Sequence, residues 1–372
     1  MSKCVMVVMG TRPEAIKMVP VIKELAKRPD IDGKVLITAQ HRTMLDDVLQ
    51  RFQVEPDYDL DVMEAGQSLA DLTVRLLSAL TRLLKEVNPD LVLVHGDTTT
   101  AFVAALACFY QVIPVAHVEA GLRTYNLHAP YPEEFNRQAI DSLATYHFAP
   151  TTAAYETLIR EGKDKTHVWL TGNTVIDALL QNIRSDYAHE LLDWVGENRL
   201  ILVTAHRRET LGAKMMSMLQ ALRRIVESHP DVRVVYPVHL NPVVQETAQA
   251  MLGSHDRIRL VEPLNVIDFQ NIMARAHFIL TDSGGIQEEA PSLGTPVLVM
   301  RDHTERPEAV EAGSAKIVGT TAEGVFAAVN ELLANDALYR SMCEVRHVYG
   351  DGKAAKRIVD VIEGIVKMEE TS

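Results

Sequence analysis

The residues of this sequence best suited to chemistry are carboxylates that follow short apolar runs. Asp97 comes two residues after the run 91–95, and Glu119 directly follows the run 113–118. Glu133 lies a little further along, in a segment rich in proline and glutamate. If the two runs are parallel strands, their carboxyl ends share one sheet edge, so we expect the three carboxylates to gather there. Clustered like charges raise some carboxyl pKa values, which suits such groups for acid or base catalysis.

Two of the three carboxylates also have a simpler interpretation. Asp97 could be only the N-cap of the next helix, which is the commonest use of Asp at such a position. Glu133 could serve only to complement a helix dipole. Glu119 is harder to explain in this way, because a carboxylate that emerges from a buried strand needs a partner or a task.

Cations accompany the first strand. Thr11 and Glu14 fit a capping box, and Pro13 suits a first helical turn, so a helix begins here. Arg12 and Lys17 then lie beside that helix N-terminus, at the edge where α/β sheets bind ligands. The alternative is that both are exposed surface cations, which is the usual state of Arg and Lys.

The segment 281–308 in the second half of the chain has the pattern of a nucleotide site. It reads as a strand, a Ser283-Gly284-Gly285 turn, a short helix and a second strand. Glycines let the backbone approach a ligand closely, and the helix N-terminus that follows favours phosphate. An acidic pair comes about one turn later, and Arg301 and Arg306 can return as charged donors. A glycine-rich connection with a solvated acidic face is the alternative.

Two histidines follow strand-like runs in the same half. His206 comes after the run 200–204 and is followed by Arg207, so it lies in a polar loop that we expect to face a ligand. His239 follows the run 232–237 in the same manner. A structural, hydrogen-bonded role is the alternative for His206.

Composition restricts the class of protein. The chain has 372 residues, which exceeds one ordinary core and predicts two domains. Its formal charge of −13 argues against a nucleic-acid partner, since phosphate backbones require a basic face. The three cysteines lie far apart without metal spacing, as expected for free thiols in the cytoplasm. We expect neither a signal peptide nor a membrane span, because the apolar runs are too short.

Strand and helix patterns alternate along the whole chain. Continuous apolar runs, rather than alternating ones, predict parallel sheets covered on both faces. We therefore predict an α/β fold of two Rossmann-like doubly wound domains that face a cleft. The predicted domains are 1–170, 171–352 and a C-terminal helix, 353–372, that packs back on the first domain. The predicted strands are 5–9, 35–38, 91–95, 113–118 and 146–149, then 200–204, 232–237, 258–261, 278–281, 296–300 and 315–318.

The ordered motifs of the chain resemble those of the non-hydrolysing UDP-N-acetylglucosamine 2-epimerases. They cover almost the whole sequence: GTRPEAIK, HGDTTT, HVEAGLRT, PYPEEFNRQ, GNTVID, TAHRRE, DSGGIQEEAPSLGTPVL and TERPEAV. The resemblance implies a GT-B-like fold and conversion of UDP-GlcNAc to UDP-ManNAc for cell-surface polysaccharide synthesis. It also implies a homodimer, a UDP-sugar as the ligand, and no NAD or obligatory metal.

Roles for individual residues follow from the same resemblance. It implies catalytic roles for Asp97, Glu119, Glu133 and His206, without deciding which carboxylate serves which face of C2. It implies that the following residues contact the substrate: Arg12, Lys17, Phe269, Ser283, Gly284, Gly285, Glu289 and Arg306. Among these, Phe269 would form a wall of the uracil pocket and Glu289 would contact the ribose.

Some members of that family are activated by UDP-GlcNAc at a second site. Gln40, His41, Arg207 and His239 match positions of that site, whereas Thr43 and Gly66 stand where Gln and Arg are expected. Other interpretations also fit the motifs: a hydrolysing relative that releases ManNAc, an epimerase of a modified UDP-2-acetamido sugar, a GT-B glycosyltransferase, or a nucleotide-sugar sensor. A transferase or a sensor has no evident need for three carboxylates together.

Overall fold

The chain divides into two compact units. The computed structural model describes residues 2–38, 42–64, 66–207 and 210–368. Unit 1 consists of the described residues up to Ala178 and those from Gly350 onward, and unit 2 is Leu179–Tyr349. Each unit has its own parallel sheet with alternating helices, so the prediction of two doubly wound α/β units is confirmed.

Strands and helices alternate in unit 1. Its strands are β1 (Lys3–Met9), β2 (Ile31–Ile37), β3 (Tyr58–Asp59), β4 (Leu91–His95), β5 (Val115–Val118), β6 (Tyr146–Ala149) and β7 (Val168–Leu170). Its helices are α1 (Arg12–Leu25), α2 (Arg42–Phe52), α3 (Leu69–Val87), α4 (Thr99–Tyr110), α5 (Glu133–Leu143), α6 (Thr152–Arg160), α7 (Thr174–Asn182), which leads into unit 2, and, last in the chain, α16 (Ala354–Met368).

The sheet of unit 1 has the strand order β3-β2-β1-β4-β5-β6-β7, with every pair parallel. The chain reverses its direction of winding between β1 and β4. Loops diverge at such a switch point, and α/β sheets bind ligands in the crevice it leaves at the carboxyl edge. Arg12, the first residue of α1, and Asp97, on the loop after β4, lie at this point.

Both faces of the sheet are buried, as the continuous apolar runs predict. Along β1, Val5, Val7 and Met9 pack into one core cluster, whereas Met6 and Val8 pack into another on the opposite face. This alternation follows from the pleat, which points successive side chains to opposite sides. Helices α1, α2 and α16 contribute to the first core, and α3 and α4 to the second.

Local capping residues determine where the helices that support the site begin. The capping box of Thr11 and Glu14 is formed at α1, as predicted. At α4 the N-cap is Thr98, whose Oγ1 accepts a hydrogen bond from the N–H of Ala101 at 3.0 Å. The simpler interpretation of Asp97 as the N-cap is therefore wrong, and its carboxylate remains available for other contacts.

The C-terminal helix packs within unit 1. Asp177 accepts hydrogen bonds from the N–H groups of Ala354 and Ala355 at 3.1 and 2.9 Å, which caps the start of α16. Ile358 and Ile362 are fully buried in the core that α1 also lines. The sequence pattern of this last helix, apolar on one face, dictates that contact.

Unit 2 repeats the alternation. Its strands are β8 (Arg199–Thr204), β9 (Val232–Pro237), β10 (Ile258–Val261), β11 (Phe278–Thr281), β12 (Val297–Val299) and β13 (Ala315–Ile317). Its helices are α8 (Glu190–Val195), α9 (Ala213–Ser228), α10 (Pro242–Leu252), α11 (Val266–Met273), α12 (Gly284–Ser292), α13 (Pro307–Ala312), α14 (Ala322–Ala334) and α15 (Asp336–Glu344).

The sheet of unit 2 has the order β10-β9-β8-β11-β12-β13, again with parallel pairs. Its switch point lies between β8 and β11, whose last residues, Thr204 and Thr281, are joined by a hydroxyl–hydroxyl hydrogen bond of 2.6 Å. The loops that leave this point carry His206 and Ser283, and Gly284 and Gly285 are the first residues of α12.

Candidate active site

A cavity of about 520 Å³ lies at the switch point of unit 1. Arg12, Asp97 and Glu133 are among the residues that line it. Asp97 is close enough to Glu119 and Glu133 for both charges to act on its carboxyl group. The three predicted carboxylates are thus brought together, although Asp97 and Glu133 are separated by an entire αβ unit in sequence.

Glu119 is held in a strained and highly charged position. Its backbone adopts the left-handed conformation, with φ of 65°, which is uncommon for a residue with a side chain. Its largely buried carboxylate lies 2.5 Å from Lys17 Nζ and 3.3 Å from His95 Nε2. Burial alone would raise the pKa of Glu119, but the charges of Lys17 and His95 outweigh burial and hold that pKa well below its usual range. Glu119 is therefore an ionised base at neutral pH.

Asp97 has the opposite electrostatic balance. Burial raises its pKa, and the negative charge of Glu119 adds to the increase. Arg137 opposes that increase through an ion pair of 3.0 Å between its Nη2 and Asp97 Oδ2. Two neighbouring carboxyl groups whose pKa values are pushed apart are the usual arrangement for an acid and a base in one site.

Glu14 connects the loops that carry Arg12 and Asp97. Its buried Oε2 accepts hydrogen bonds from the N–H groups of Gly10 and Thr11 at 3.1 and 2.8 Å. Its Oε1 accepts a hydrogen bond from the hydroxyl of Thr98 at 2.8 Å. The capping motif predicted the local half of this arrangement but not the link across the switch point, since no sequence spacing encodes that contact.

Helix α5 fixes the other wall of the cavity. Its first residue, Glu133, lines the cavity, and Asn136 donates a hydrogen bond to the backbone carbonyl of Asp97 at 2.9 Å. Glu134 points the other way and is buried, where it accepts hydrogen bonds from the N–H groups of Thr124 and Tyr125, both at 2.9 Å. Adjacent glutamates in this helix thus have different tasks, one facing the cavity and one holding the loop after Glu119.

A buried ionic network lies behind the carboxylates. Asp141 accepts a hydrogen bond of 2.6 Å from His117 Nδ1 and forms an ion pair of 2.7 Å with Arg123. His117 Nε2 donates to the carbonyl of Gly96 at 2.7 Å, and the Gly121 N–H donates to Asp141 at 3.2 Å. The network therefore holds one residue on the Asp97 loop and one on the Glu119 loop. No spacing in the sequence indicates this network, although His117 lies in the predicted strand that precedes Glu119.

The segment that the sequence predicts to bind phosphate, Ser283-Gly284-Gly285, lies at the switch point of unit 2. Helix α12 begins directly after Ser283, so its first N–H groups have no partners within the helix and its dipole is positive there. A Cβ atom on Gly284 would come within 3.6 Å of the Arg207 guanidinium, and the space around Gly285 is open. These glycines therefore leave the turn accessible to a bulky anion.

The acidic pair of α12 has partners within unit 2. Glu288 forms an ion pair with Arg306, and Glu289 accepts a hydrogen bond of 2.9 Å from Gln270. Phe269, next to Gln270 on α11, is half-buried. The structure therefore brings the residues proposed for ribose and uracil to neighbouring positions, because Gln270 joins α11 to α12.

His206 and Arg207 follow β8, and their backbone N–H groups both donate to the Asp282 carboxylate at 2.9 Å. The His206 ring stacks on His239, with centroids 5.4 Å apart. Burial lowers the pKa of His206, the charge of Asp282 partly opposes that change, and His239 and Arg207 add to it. Gln40 and His41, the other two residues matched to an activator site, lie outside the described residues.

In the parts of the chain that the structure describes, no three side chains of His, Cys, Asp or Glu are grouped so as to hold a metal ion. Across the same ranges, every helix is too short or too polar to cross a bilayer.

The sequence matches a family of known proteins over most of its length. The family model for UDP-N-acetylglucosamine 2-epimerase matches residues 23–363. The UDP-N-acetylglucosamine 2-epimerase of Bacillus subtilis is 55% identical over 96% of this chain and 94% of its own.

Solved structures agree with that match. MnaA of S. aureus, in a co-structure with UDP, is 46% identical with a TM-score of 0.89, covering 98% of this chain and 97% of its own. The UDP-GlcNAc 2-epimerase of Neisseria meningitidis, bound to UDP-GlcNAc, is 46% identical with a TM-score of 0.86, covering 97% of this chain and all of its own. This chain belongs to the UDP-N-acetylglucosamine 2-epimerase family.

Proposed function

We propose that the protein interconverts UDP-GlcNAc and UDP-ManNAc without hydrolysis. The C2 proton of the sugar has no neighbouring carbonyl to acidify it, so direct removal and return is unfavourable. Elimination avoids this difficulty. A carboxylate takes the C2 proton, the C1–O bond breaks with its electron pair leaving on UDP, and a C1–C2 double bond forms in 2-acetamidoglucal. UDP then adds back at C1 while a proton is delivered to the opposite face of C2.

The observation that carries this proposal is the pair Asp97 and Glu119 in unit 1. The reaction needs one group that accepts a proton and another that delivers one. Glu119 is held ionised by Lys17 and His95, whereas burial raises the pKa of Asp97. We assign proton transfer at C2 to these two carboxyl groups, with Glu133 as the third member of the site.

Unit 2 supplies what the leaving group requires. Departing UDP carries the electron pair of the broken bond, so cations and N–H donors must stabilise its diphosphate. We assign that role to the turn at Ser283, Gly284 and Gly285 together with His206, and we assign the nucleoside to Phe269, Glu289 and Arg306. Arg12 and Lys17 are assigned to the substrate from unit 1.

Proton NMR of UDP-GlcNAc and protein in D2O tests the proposal. We expect the C2 proton signal to be replaced by deuterium and UDP-ManNAc signals to appear, with no free sugar. Free ManNAc with UDP would instead identify a hydrolysing enzyme. If the sugar signals stay unchanged although UDP binds tightly to the protein, the proposed catalysis is contradicted. The protein would then be a nucleotide-sugar sensor or a transferase.

The sugar itself needs a separate measurement, because related epimerases can act on modified UDP-2-acetamido sugars. We propose the unmodified sugar as the substrate. Turnover of UDP-GlcNAc should exceed that of its C6-oxidised form in kcat/KM. The reverse order would assign the protein to the modified sugar and leave the elimination chemistry intact.

We also propose a homodimer, formed through the exposed apolar surface of α4 and α5. Phe109 and Tyr110, at the end of α4, and Phe135, on α5, are exposed, and Phe135 contacts Phe102 of α4 edge-on at 5.6 Å. Exposed apolar side chains on two packed helices favour an interaction site there. Light scattering should give a dimer for the wild type and a monomer for a Phe109→Glu, Tyr110→Glu variant. Met216→Glu, an exposed apolar change on α9, is the matched control and should remain dimeric.

We also propose activation by UDP-GlcNAc, because Arg207 and His239 match positions of the activator site in the resembling family. In unit 2 His239 stacks on His206, so a ligand at His239 would act on a ring that we assign to the diphosphate. The reverse reaction, started from UDP-ManNAc alone, should then show a lag that traces of UDP-GlcNAc abolish. Hyperbolic kinetics in both directions, with no lag, would contradict the activator site.

A further inference from the structure

Asp282 is a fully buried carboxylate at the switch point of unit 2, and one of its two oxygens receives no hydrogen bond from the residues that the structure describes. Its Oδ2 accepts three hydrogen bonds of 2.9 Å, from the N–H groups of His206 and Arg207 and the hydroxyl of Thr210. Its Oδ1 accepts none from the described residues. A buried carboxylate oxygen without a donor is costly, so its placement calls for an explanation.

The group that faces this oxygen is the imidazole of His206. His206 Nδ1 lies 3.5 Å from Asp282 Oδ1, just beyond a good hydrogen bond. The His206 side chain is 40% exposed, whereas that of Asp282 is fully buried, so the carboxylate approaches the ring from the protein side. A carboxylate at Nδ1 selects the tautomer that carries its proton there, which leaves Nε2 to act on whatever lies beyond the ring.

Other charged groups act on the same ring. His239 stacks on it, and Arg207 is the next residue in the chain. Glu305 lies 3.4 Å from the Arg207 guanidinium and partly neutralises it. Asp282 is therefore the buried anion that directly faces His206, while His239 and Arg207 disfavour a positive ring.

We propose that Asp282 is a positioning residue: it holds His206 as the Nδ1–H tautomer and supports a second proton on Nε2 when a diphosphate lies at the Ser283 turn. The inference rests on the proposed function for the place of the diphosphate. Asp282 ties three parts of the site together, because it directly precedes Ser283, binds the backbone of the His206 loop and faces the imidazole. The uncharged variant Asp282→Asn should then change the protonation of the His206 ring without unfolding the loop.

Charge balance explains why the ring needs this support. Burial lowers the pKa of His206, so the free protein holds a neutral ring at neutral pH. A bound diphosphate adds negative charge beside Nε2, and Asp282 already supplies negative charge at Nδ1. A ring between two anions takes up a proton and becomes the cation that opposes charge on departing UDP.

The competing role for Asp282 is purely structural: it would only hold the backbone of His206 and Arg207 and the hydroxyl of Thr210. Asp282→Asn separates the two roles. The amide oxygen of Asn still accepts from the two N–H groups and the Thr210 hydroxyl, whereas its NH2 group now faces Nδ1. Because an NH2 group donates, the His206 ring must present a lone pair at Nδ1 and carry its proton on Nε2.

Nitrogen-15 NMR of histidine-labelled protein distinguishes the tautomers and gives the pKa of each ring, and uniformly labelled protein reports on the backbone amides. His206→Gln assigns the signal, and Asp256→Asn, an exposed change of the same type in unit 2, is the control. Thr210→Val removes one hydrogen bond to Oδ2 without altering Oδ1. The probe ligand is UDP, titrated into the whole chain between pH 5 and 9.

We expect the wild type to show the Nδ1–H tautomer, with saturating UDP raising the pKa of His206 by at least one unit. Asp282→Asn should invert the tautomer, abolish that rise, and lower kcat by about 10-fold or more with a smaller change in KM. Thr210→Val and Asp256→Asn should keep the wild-type tautomer. Circular dichroism must show Asp282→Asn to be folded, but the wild-type measurement tests the tautomer without any variant.

Two results would overturn the inference. One is an Nε2–H tautomer in the wild type. The other is an unchanged tautomer and UDP response in folded Asp282→Asn. In both cases UDP-dependent shifts at Ser283, Gly284 and Gly285 would leave the proposed binding site standing. If UDP binds but moves neither these amides nor His206, the proposed site itself is wrong and the inference falls with it.

Discussion

Removing the ammonium group of Lys17 should reveal how strongly Glu119 depends on it. Lys17 Nζ and Glu119 Oε2 are 2.5 Å apart, with side chains only 17% and 12% exposed. Removing one partner of a buried ion pair leaves the other charge unpaired, which costs about 3–5 kcal/mol. His95 remains 3.3 Å from Glu119 and compensates in part, so we expect Lys17→Met to cost about 3 kcal/mol, at the low end of that range.

The assay is urea unfolding of four proteins: wild type, Lys17→Met, Glu119→Gln and the double variant. The chain has two tryptophans, Trp169 in β7 of unit 1 and Trp194 in α8 of unit 2. A Trp194→Phe background therefore makes fluorescence report on unit 1 alone. In that background we expect the double variant to be more stable than the sum of the single changes predicts, by about 2 kcal/mol or more.

The same coupling should depend on pH in a defined direction. The pKa of Glu119 is lower in the folded protein than in the unfolded chain, where it is about 4.3. A carboxyl group of this kind contributes stability that is fully present above about pH 4.3 and is lost as the pH falls through the folded pKa. The coupling energy at pH 7 should therefore exceed that at pH 3.5.

The pair of Lys3 and Asp90 is the matched control in the same unit. Its atoms are 3.2 Å apart and its side chains are 22% and 32% exposed, so solvent screens it more strongly. We expect a coupling of about 1 kcal/mol or less for Lys3→Met with Asp90→Asn. Coupling below about 0.5 kcal/mol for the buried pair at pH 7, or coupling no larger than that of the control, would refute the account of Glu119 as an ionised, cation-held base.

Three further predictions concern the surroundings of that pair. Asp97→Asn should lower deuterium incorporation at C2 by about 10²- to 10⁴-fold, with UDP affinity by calorimetry unchanged, because unit 1 loses one proton carrier. Asp141→Asn should cost about 3 kcal/mol in urea unfolding at pH 7, since it removes the buried carboxylate that accepts from His117 and pairs with Arg123, although Arg123 keeps Glu161 as a second partner. Glu14→Gln should change the free energy of unfolding by less than about 1 kcal/mol, because burial raises the pKa of Glu14 and a neutral amide keeps an acceptor; Glu14→Ala should cost about 2 kcal/mol in the same assay.

Local signals in the sequence predicted most of the fold. Apolar runs located β4, β9 and β11, and the capping box placed the start of α1, because these features arise from contacts within a few positions. Strands β3 and β7 were missed. They span two and three residues, too short for an apolar run to stand out, and are defined by pairing with β2 and β6.

The candidate site divides in the same way. The sequence alone indicates that Asp97 and Glu119 are carboxylates at strand ends, because carboxylates after buried apolar runs are unusual. Their partners were not: Arg137 comes 40 positions after Asp97, and Lys17 102 positions before Glu119. Nothing in linear spacing indicates which cation pairs with which carboxylate, and that choice determines which pKa rises and which falls.

The two units show why one sheet topology can support both halves of the proposed reaction. In each, the chain reverses between its first and fourth strands, so two loops diverge at one carboxyl edge. In unit 1 those loops and the adjoining β5 loop carry carboxylates. Buried cations pair with these carboxylates and shift their pKa values to different extents. In unit 2 the equivalent loops carry glycines, a helix N-terminus and a histidine faced by a buried carboxylate. The scaffold thus fixes where the functional loops lie, and the charge buried beneath each loop is the basis on which we assign it to proton transfer or to anion binding.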